Sequence, residues 1–186
     1  EALMCGILGM VGTPWLEAAP LALATLRSRG PDEQTTLNLG ETVFCHTRLA
    51  VTDLLGGHQP MRTVDGRYTI IFNGEIYNAP ALRKELEASG EIFLTDHSDT
   101  EVLLLGYRAW GAAILPRLDG MFAFAVWDAH TRRLFAARDR VGIKPFMYAA
   151  VAGGLVFAST LAPFFALPDF PRQIDPEALR DYLAFQ

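Results

Sequence analysis

The sequence predicts an α+β domain, and three observations carry the prediction. Apolar and polar residues alternate with period 2 in neighbouring runs joined by short turns, the pattern of antiparallel hairpins. Helical stretches with their own start and stop signals are inserted between those hairpins. The chain of 186 residues is 51% hydrophobic and 20% charged, which suits one globular domain with a sizeable core and not a disordered segment.

Taken in order, Cys5 to Val11 is a buried strand that stops at Gly12. Leu16 to Ser28 is helical, with Pro20 comfortable in an early turn. Thr35 to Leu39 and Glu41 to Thr47 alternate about Gly40 as a hairpin, with Val43 and Cys45 on one face and Phe44 and His46 on the other. Tyr68 to Phe72 is a strand that Asn73-Gly74 ends. Asn78 caps a helix with Pro80 in its first turn, Leu82 and Leu86 in its buried stripe, and Gly90 as its stop. Ser98-Asp99-Thr100-Glu101 has capping-box form ahead of a helix that is apolar nearly all round to Trp110. Gly120 to Trp127 and Leu134 to Arg138 pair about Asp128-Ala129-His130, and Asp175-Pro176 opens a last helix.

Composition excludes several classes. A net charge of −5 argues against nucleic acid, and no basic run contradicts it. Cys5 and Cys45 make neither a disulfide framework nor a zinc cluster, so a reducing, cytoplasmic setting is expected. No basic region precedes the first apolar run, so it is not a signal peptide. Residues 145–168 carry no charged side chain, but Pro145, Pro163, Pro168 and Gly153-Gly154 break the run into a hairpin and a short helix, not a membrane span. There is no internal repeat, and no linker before about residue 170.

The stretch Met4-Cys5-Gly6-Ile7-Leu8-Gly9 invites a chemical reading. If synthesis began at Met4, the small Cys5 side chain would favour removal of the methionine. The mature chain would then start with a thiol, of pKa about 8.5, and an α-amine, of pKa about 7.7–8.0, on one residue. That residue would hold both a nucleophile and a base. The alternative is a small buried hydrophobe in a strand.

Four polar segments sit at strand ends or loops, where sites are built. They are Arg29-Gly30-Pro31-Asp32, His46-Thr47-Arg48-Leu49, Asn73-Gly74-Glu75-Ile76-Tyr77-Asn78 and Ser98-Asp99-Thr100-Glu101. Singly, each has a structural explanation: a turn, a surface ion pair, an Asx turn, a helix cap. In order and behind Cys5, they form a combination.

That combination resembles the glutaminase domain of the asparagine synthetases, within the class II, N-terminal-nucleophile glutamine amidotransferases. Further matching motifs are Arg48-Leu49-Ala50-Val51-Thr52-Asp53, Gly120-Met121-Phe122-Ala123-Phe124, and Arg138-Asp139-Arg140 with Gly142-Ile143-Lys144-Pro145. The resemblance runs from Cys5 to the end of the chain. Relatives that feed sugar phosphates share the nucleophile and the Asn-Gly but differ around Arg29–Asp32 and lack the Glu75–Asn78 continuation. One departure is visible: Ser28 stands where the family has histidine.

The resemblance implies a four-layer αββα sandwich of two antiparallel sheets between helices. It implies that Cys5 attacks the side-chain amide of glutamine, with the Asn73 amide and the Gly74 N–H stabilising the oxyanion. Arg48 then holds the α-carboxylate through a planar fork, and Glu75 and Asp99 hold the α-ammonium. Arg29, Asp32 and Val51 shape the mouth of the site. His46, His58, His97 and His130 belong to no catalytic pattern. No metal or cofactor is expected in this domain.

In asparagine synthetases, a second domain uses ATP and magnesium to adenylate aspartate. Its Ser-Gly-Gly-x-Asp-Ser loop has no counterpart among Ser28, Ser89, Ser98 and Ser159. The expected division is therefore a non-family extension at 1–4, a glutaminase domain at 5–170, and at 171–186 the start of a helix leading to a C-terminal synthetase domain in the same chain. Glutamine is the expected substrate, with no nucleic-acid or membrane partner and a homodimer as the assembly considered. Alternatives are a silent docking domain of the same fold, a free-standing glutaminase serving a separate partner, and a hydrolase of another amide. Residues 1–4 read as an expression remnant, a mis-assigned start or a pro-segment. With Met4 attached, the nitrogen of Cys5 is a non-basic amide, so the chain is expected to fold, to be nearly inactive, and to carry residues 1–4 at or across the glutamine site.

Overall fold

The computed structural model describes residues 4–49, 57–151 and 153–185. Among them, β1 (Gly6–Val11), β2 (Glu33–Asn38), β3 (Thr42–Arg48), β8 (Met147–Val151) and β9 (Gly154–Ala158) form one sheet in the order β2-β3-β1-β9-β8. The second sheet runs β4-β5-β6-β7, from β4 (Met61–Arg62), β5 (Tyr68–Ile76), β6 (Gly120–Asp128) and β7 (Arg133–Arg138). Every strand pairing in both sheets is antiparallel.

Period-2 alternation sorts the apolar side chains into three layers. Leu8 and Met10 of β1, Val43 and Cys45 of β3, and Val156 and Ala158 of β9 face α1 (Ala19–Ala24) and α4 (Ala162–Ala166), meeting Ala22, Leu23, Leu26 and Phe164. The intervening residues Ile7, Phe44 and Phe157 face the other sheet and meet Ile71, Ala123, Ala125 and Trp127. Beyond that sheet, Ile70, Phe72, Phe124 and Val126 pack against α2 (Ala79–Ala88) and α3 (Asp99–Trp110) through Leu82, Leu86, Leu103 and Leu104. Three cores between four layers make the αββα sandwich that the resemblance implied. Each large side chain buried in them contributes about 1.5–3 kcal/mol. The middle layer depends on one glycine, because a Cβ on Gly9 would fall 2.1 Å from the Phe157 ring.

Several elements differ in detail from their sequence expectations. The helix expected over Leu16–Ser28 is a 3₁₀ turn, Leu16–Ala18, followed by α1. Asn73-Gly74 does not end its strand; β5 continues to Ile76, with Gly74 opposite Phe122 and Glu75 opposite Met121. Gly74 is there for close approach, since a Cβ would sit 2.2 Å from the Met121 carbonyl oxygen. Asn78 stands at the head of α2 but does not cap it with its side chain. Its amide instead donates to the Arg117 carbonyl at 2.8 Å and accepts from the Asp119 amide at 3.0 Å, pinning α2 to the approach to β6.

Ser98 does cap α3, accepting from the Glu101 amide at 3.3 Å. The Glu101 carboxylate, however, takes the Leu94 and Thr95 amides at 2.7 and 2.8 Å, so it holds the preceding loop. Residues 145–168 form β8, β9 and α4 as expected, and no helix among the described residues is long and apolar enough to cross a membrane. The last helix, α5 (Pro176–Phe185), opens on Asp175, whose carboxylate accepts from the Glu177 amide at 2.8 Å. None of its residues is buried.

Candidate active site

The alternation that builds the middle layer also builds its polar end. On β3, His46 and Arg48 share the inward parity of Phe44; on β5, Asn73 and Glu75 share that of Ile71. Cys5 stands ahead of β1 with the parity of Ile7. Gly6 pairs with Thr47, which sets Cys5 beside the last residues of β3. The Leu49 amide donates to Cys5 Sγ at 3.5 Å.

The Arg29–Asp32 segment is packed against the same corner. Pro31 bridges Arg48 in parallel register, and the Asp32 amide donates to the Arg48 carbonyl at 3.1 Å. A Cβ on Gly30 would fall 2.6 Å from the Arg48 and Thr47 backbone, so only glycine lets the segment lie this close. Arg29 is buried; its Nε donates to the Cys5 carbonyl at 3.2 Å, while its own carbonyl accepts the Met4 amide at 2.9 Å.

Arg48 is buried, with Nη1 3.7 Å from Glu33, whose carboxylate also pairs with His58 Nδ1 at 2.9 Å. Asn73 is 2% exposed, and its side-chain Nδ2 has no hydrogen-bond partner among the described residues. A buried donor left in this state costs about 1–3 kcal/mol, so it calls for an explanation. The backbone beside it is also directed. The Phe72 and Ile76 amides leave the open edge of β5 for Gln59 Oε1 at 2.6 Å and Asp99 Oδ2 at 3.1 Å. Gly74 lies between them with the same parity, so its amide points to that edge.

Asp99 is thereby anchored at the start of α3. Burial pushes its carboxyl above the usual range, the Ile76 and Thr100 amides oppose this, and the nearby Glu75 charge adds to it. The Asp99 carboxyl, with a second negative charge nearby, gains from a cation placed beside it.

The two thiols differ sharply. Cys45 lies in the α1-facing core, where burial pushes its thiol up to about 11 despite a 3.6 Å contact with the Thr36 hydroxyl. Cys5 is partly buried; burial raises its thiol too, but the Leu49 amide and then the charges of Arg48, Arg29 and Lys144 pull it back. His46, one pleat deeper than Arg48, is pushed down to about 4 by burial, against the Phe72 carbonyl and Glu33, and is neutral.

The structure thus gathers Cys5, Arg29, Arg48, Asn73, Gly74, Glu75 and Asp99 at one end of the sandwich, with the Asp32 backbone behind Arg48. Val51 lies outside the described residues. Sequence reasoning assigned no role to Lys144. It is buried, with its Nζ 3.1 Å from Met4 Sδ. The motif around it was visible, but not the fold of the loop that brings it here.

Two facing antiparallel sheets between helix layers place the molecule in the class of αββα sandwiches. A solved structure of that class, glutamine phosphoribosylpyrophosphate amidotransferase from Bacillus subtilis complexed with ADP and GMP, superposes with a TM-score of 0.71 at 24% identity, covering 87% of this chain and 43% of that one. At that identity the likeness speaks for fold alone. The family model of the glutamine amidotransferase domain matches residues 4–186, and the chain belongs to that family. Among curated relatives, asparagine synthetase [glutamine-hydrolyzing] 3 of Bacillus subtilis strain 168 is 43% identical over 185 residues, 96% of this chain but 30% of the relative. Asparagine synthetase [glutamine-hydrolyzing] 1 of the same strain is 43% identical over 158 residues, covering 85% and 25%. The chain spans between a quarter and a third of the length of these relatives.

Proposed function

We propose that this domain hydrolyses glutamine to glutamate and ammonia through a thioester on Cys5. The observation that carries the proposal is the contrast between its two thiols. Cys5 meets an amide donor and three cations at the polar end of the inter-sheet layer, whereas Cys45 is sealed in apolar core.

In the form that starts at Cys5, the α-amine takes the thiol proton and the sulfur attacks the side-chain carbonyl carbon of glutamine. Asn73 Nδ2 and the Gly74 N–H receive the resulting oxyanion, a role that accounts for a buried donor without a partner among the described residues. Collapse of the intermediate breaks the C–N bond. The α-ammonium returns its proton to the departing nitrogen, which leaves as ammonia. Water, deprotonated by the same amine, then cleaves the thioester to release glutamate and restore the thiol. Arg48 pairs with the substrate α-carboxylate, and Glu75 and Asp99 with its α-ammonium. Arg29 does more than shape the mouth: it grips the Cys5 carbonyl. No cofactor enters these steps.

The likeness to asparagine synthetases over a quarter to a third of their length supports a wider arrangement. In it, 5–170 is the glutaminase unit, 171–186 leads to a synthetase domain, and the ammonia is used there with ATP and magnesium. The test is glutamate release from glutamine by a version beginning at Cys5. Activity lost in Cys5→Ala and kept in Cys45→Ala is expected. The reverse would move the nucleophile to Cys45.

A further inference from the structure

We propose that Lys144 is a positioning residue for Cys5, its buried ammonium favouring the charged form of the sulfur. The proposal rests on reading Cys5 as the nucleophile.

Lys144 is delivered by a loop that one carboxylate holds in shape. Asp139 accepts from the Ile143 amide at 2.8 Å, the Lys144 amide at 2.9 Å and the Phe122 amide at 3.2 Å. Arg138 Nε donates to the Lys144 carbonyl at 2.7 Å, and Gly142 makes the bend with φ +70°. This many fixed contacts on the backbone of residues 142–144 leave the side chain little choice of direction. At its end, the ammonium has only a thioether as hydrogen-bond partner among the described residues, a weak and neutral acceptor, and it forms no ion pair there.

A buried ammonium without an anion is costly, so a neighbour able to become negative is its natural complement. The charged and titratable groups around the pair are Arg48 and His46 from β3, Glu33 from β2, Arg29 from the turn after α1, Glu75 from β5, Asp99 from α3 and Asp139 from its own loop. Glu75 is exposed, and the Asp139 carboxylate is spent on three amides. Arg29 Nε serves the Cys5 carbonyl, and Arg48 faces Glu33. Cys5 is the group whose charge can be created on demand. Consistently, burial and then Arg29 push the Lys144 ammonium down, and Cys5 leads the groups that hold it up.

The test reads the thiol directly. Iodoacetamide alkylation of Cys5 in the 186-residue chain is followed against pH by mass spectrometry of its peptide, since only the thiolate reacts. In Lys144→Met the midpoint is expected to rise by about half to one pH unit, and in Lys144→Arg to stay near its original value. An unmoved midpoint in Lys144→Met, or an equal rise in both variants, overturns the proposal. If the variants unfold, the unaltered protein decides. Its Lys144 Cε resonance should titrate at lower pH after Cys5 is alkylated, and identical titrations overturn the coupling. The readout is separable from the reaction proposed above. A shifted alkylation profile in the 186-residue chain, with no glutaminase activity in the version beginning at Cys5, defeats that reaction and keeps the Lys144–Cys5 coupling. Glutaminase activity with an unshifted profile does the opposite.

Discussion

Arg29 holds the Met4-Cys5 dipeptide at its two ends. Its guanidinium Nε donates to the Cys5 carbonyl at 3.2 Å, and its backbone carbonyl takes the Met4 amide at 2.9 Å. In the version beginning at Cys5 the Met4 contact is gone, and the guanidinium contact remains to fix the backbone that carries the thiol.

Replacing Arg29 should therefore misplace the nucleophile more than it weakens the fold. Hydrogen bonds to charged groups contribute about 1.5–3 kcal/mol. If half of that orients Cys5, Arg29→Met in the version beginning at Cys5 loses about four- to thirteenfold in kcat. Stopped assays of glutamate release give the rate, and a thermal scan shows whether the domain still folds. A variant with unchanged kcat would mean that Arg29 does not position the thiol.

Arg48 and Asn73 should separate kinetically. Arg48→Lys replaces a planar fork with a point charge, so its main effect is a higher KM for glutamine. Asn73→Ala removes a donor whose value is greatest when the oxyanion forms, so it lowers kcat, by about a hundredfold or more. Steady-state kinetics on both variants check the split. The opposite pattern would exchange the roles of the two residues.

How far the sequence disclosed this arrangement depends on the range of the interaction. Hairpins, and the face that Phe44 and His46 share, follow from period-2 patterning within single strands, whereas Asn73 and Glu75 gain their parity from the part of β5 beyond the expected stop. The stop expected at Asn73-Gly74 failed because an Asn-Gly pair reads locally as a turn. What requires glycine there is the Met121 carbonyl across the sheet, 2.2 Å from where a Cβ would stand. Asn78 failed as a cap for the same reason, its side chain being engaged by Arg117 and Asp119 far along the chain. Lys144 was visible only as part of a motif. Its approach to the Met4–Cys5 corner needs the folded loop held by Asp139.

His46 makes folding stability depend on pH. Its folded value of about 4 lies below the ordinary 6.5, chiefly because burial disfavours the cation. The unfolded chain thus takes up a proton in this window and the native one does not, so stability is full above pH about 6.5 and falls toward pH 4. The slope from this residue approaches 1.4 kcal/mol per pH unit at most. Urea titrations at a series of pH values should show the loss, and His46→Asn should flatten it. A variant as steep as the parent would assign the acid sensitivity to other groups.

Residues ahead of Cys5 govern whether the proposed base exists. With Met4 attached, the Cys5 nitrogen is a planar amide whose lone pair is delocalised, so it cannot accept the thiol proton. Met4 also occupies the corner itself: its amide is bonded to the Arg29 carbonyl, and its sulfur lies 3.1 Å from Lys144 Nζ. Of residues 1–4, expected at the glutamine site, Met4 lies beside Cys5, Arg29 and Lys144, and residues 1–3 lie outside the described residues. Both effects act in the same direction, and the loss of a general base alone amounts to about 10²–10⁴-fold. The 186-residue chain should accordingly fold, with a thermal midpoint close to that of the version beginning at Cys5, yet release glutamate at least about a hundredfold more slowly. Intact mass establishes which form is in the cuvette, and a coupled glutamate assay compares the two. Equal turnover would show that the free α-amine is not the base, and would pass that role to a water or to another group at the Cys5 corner.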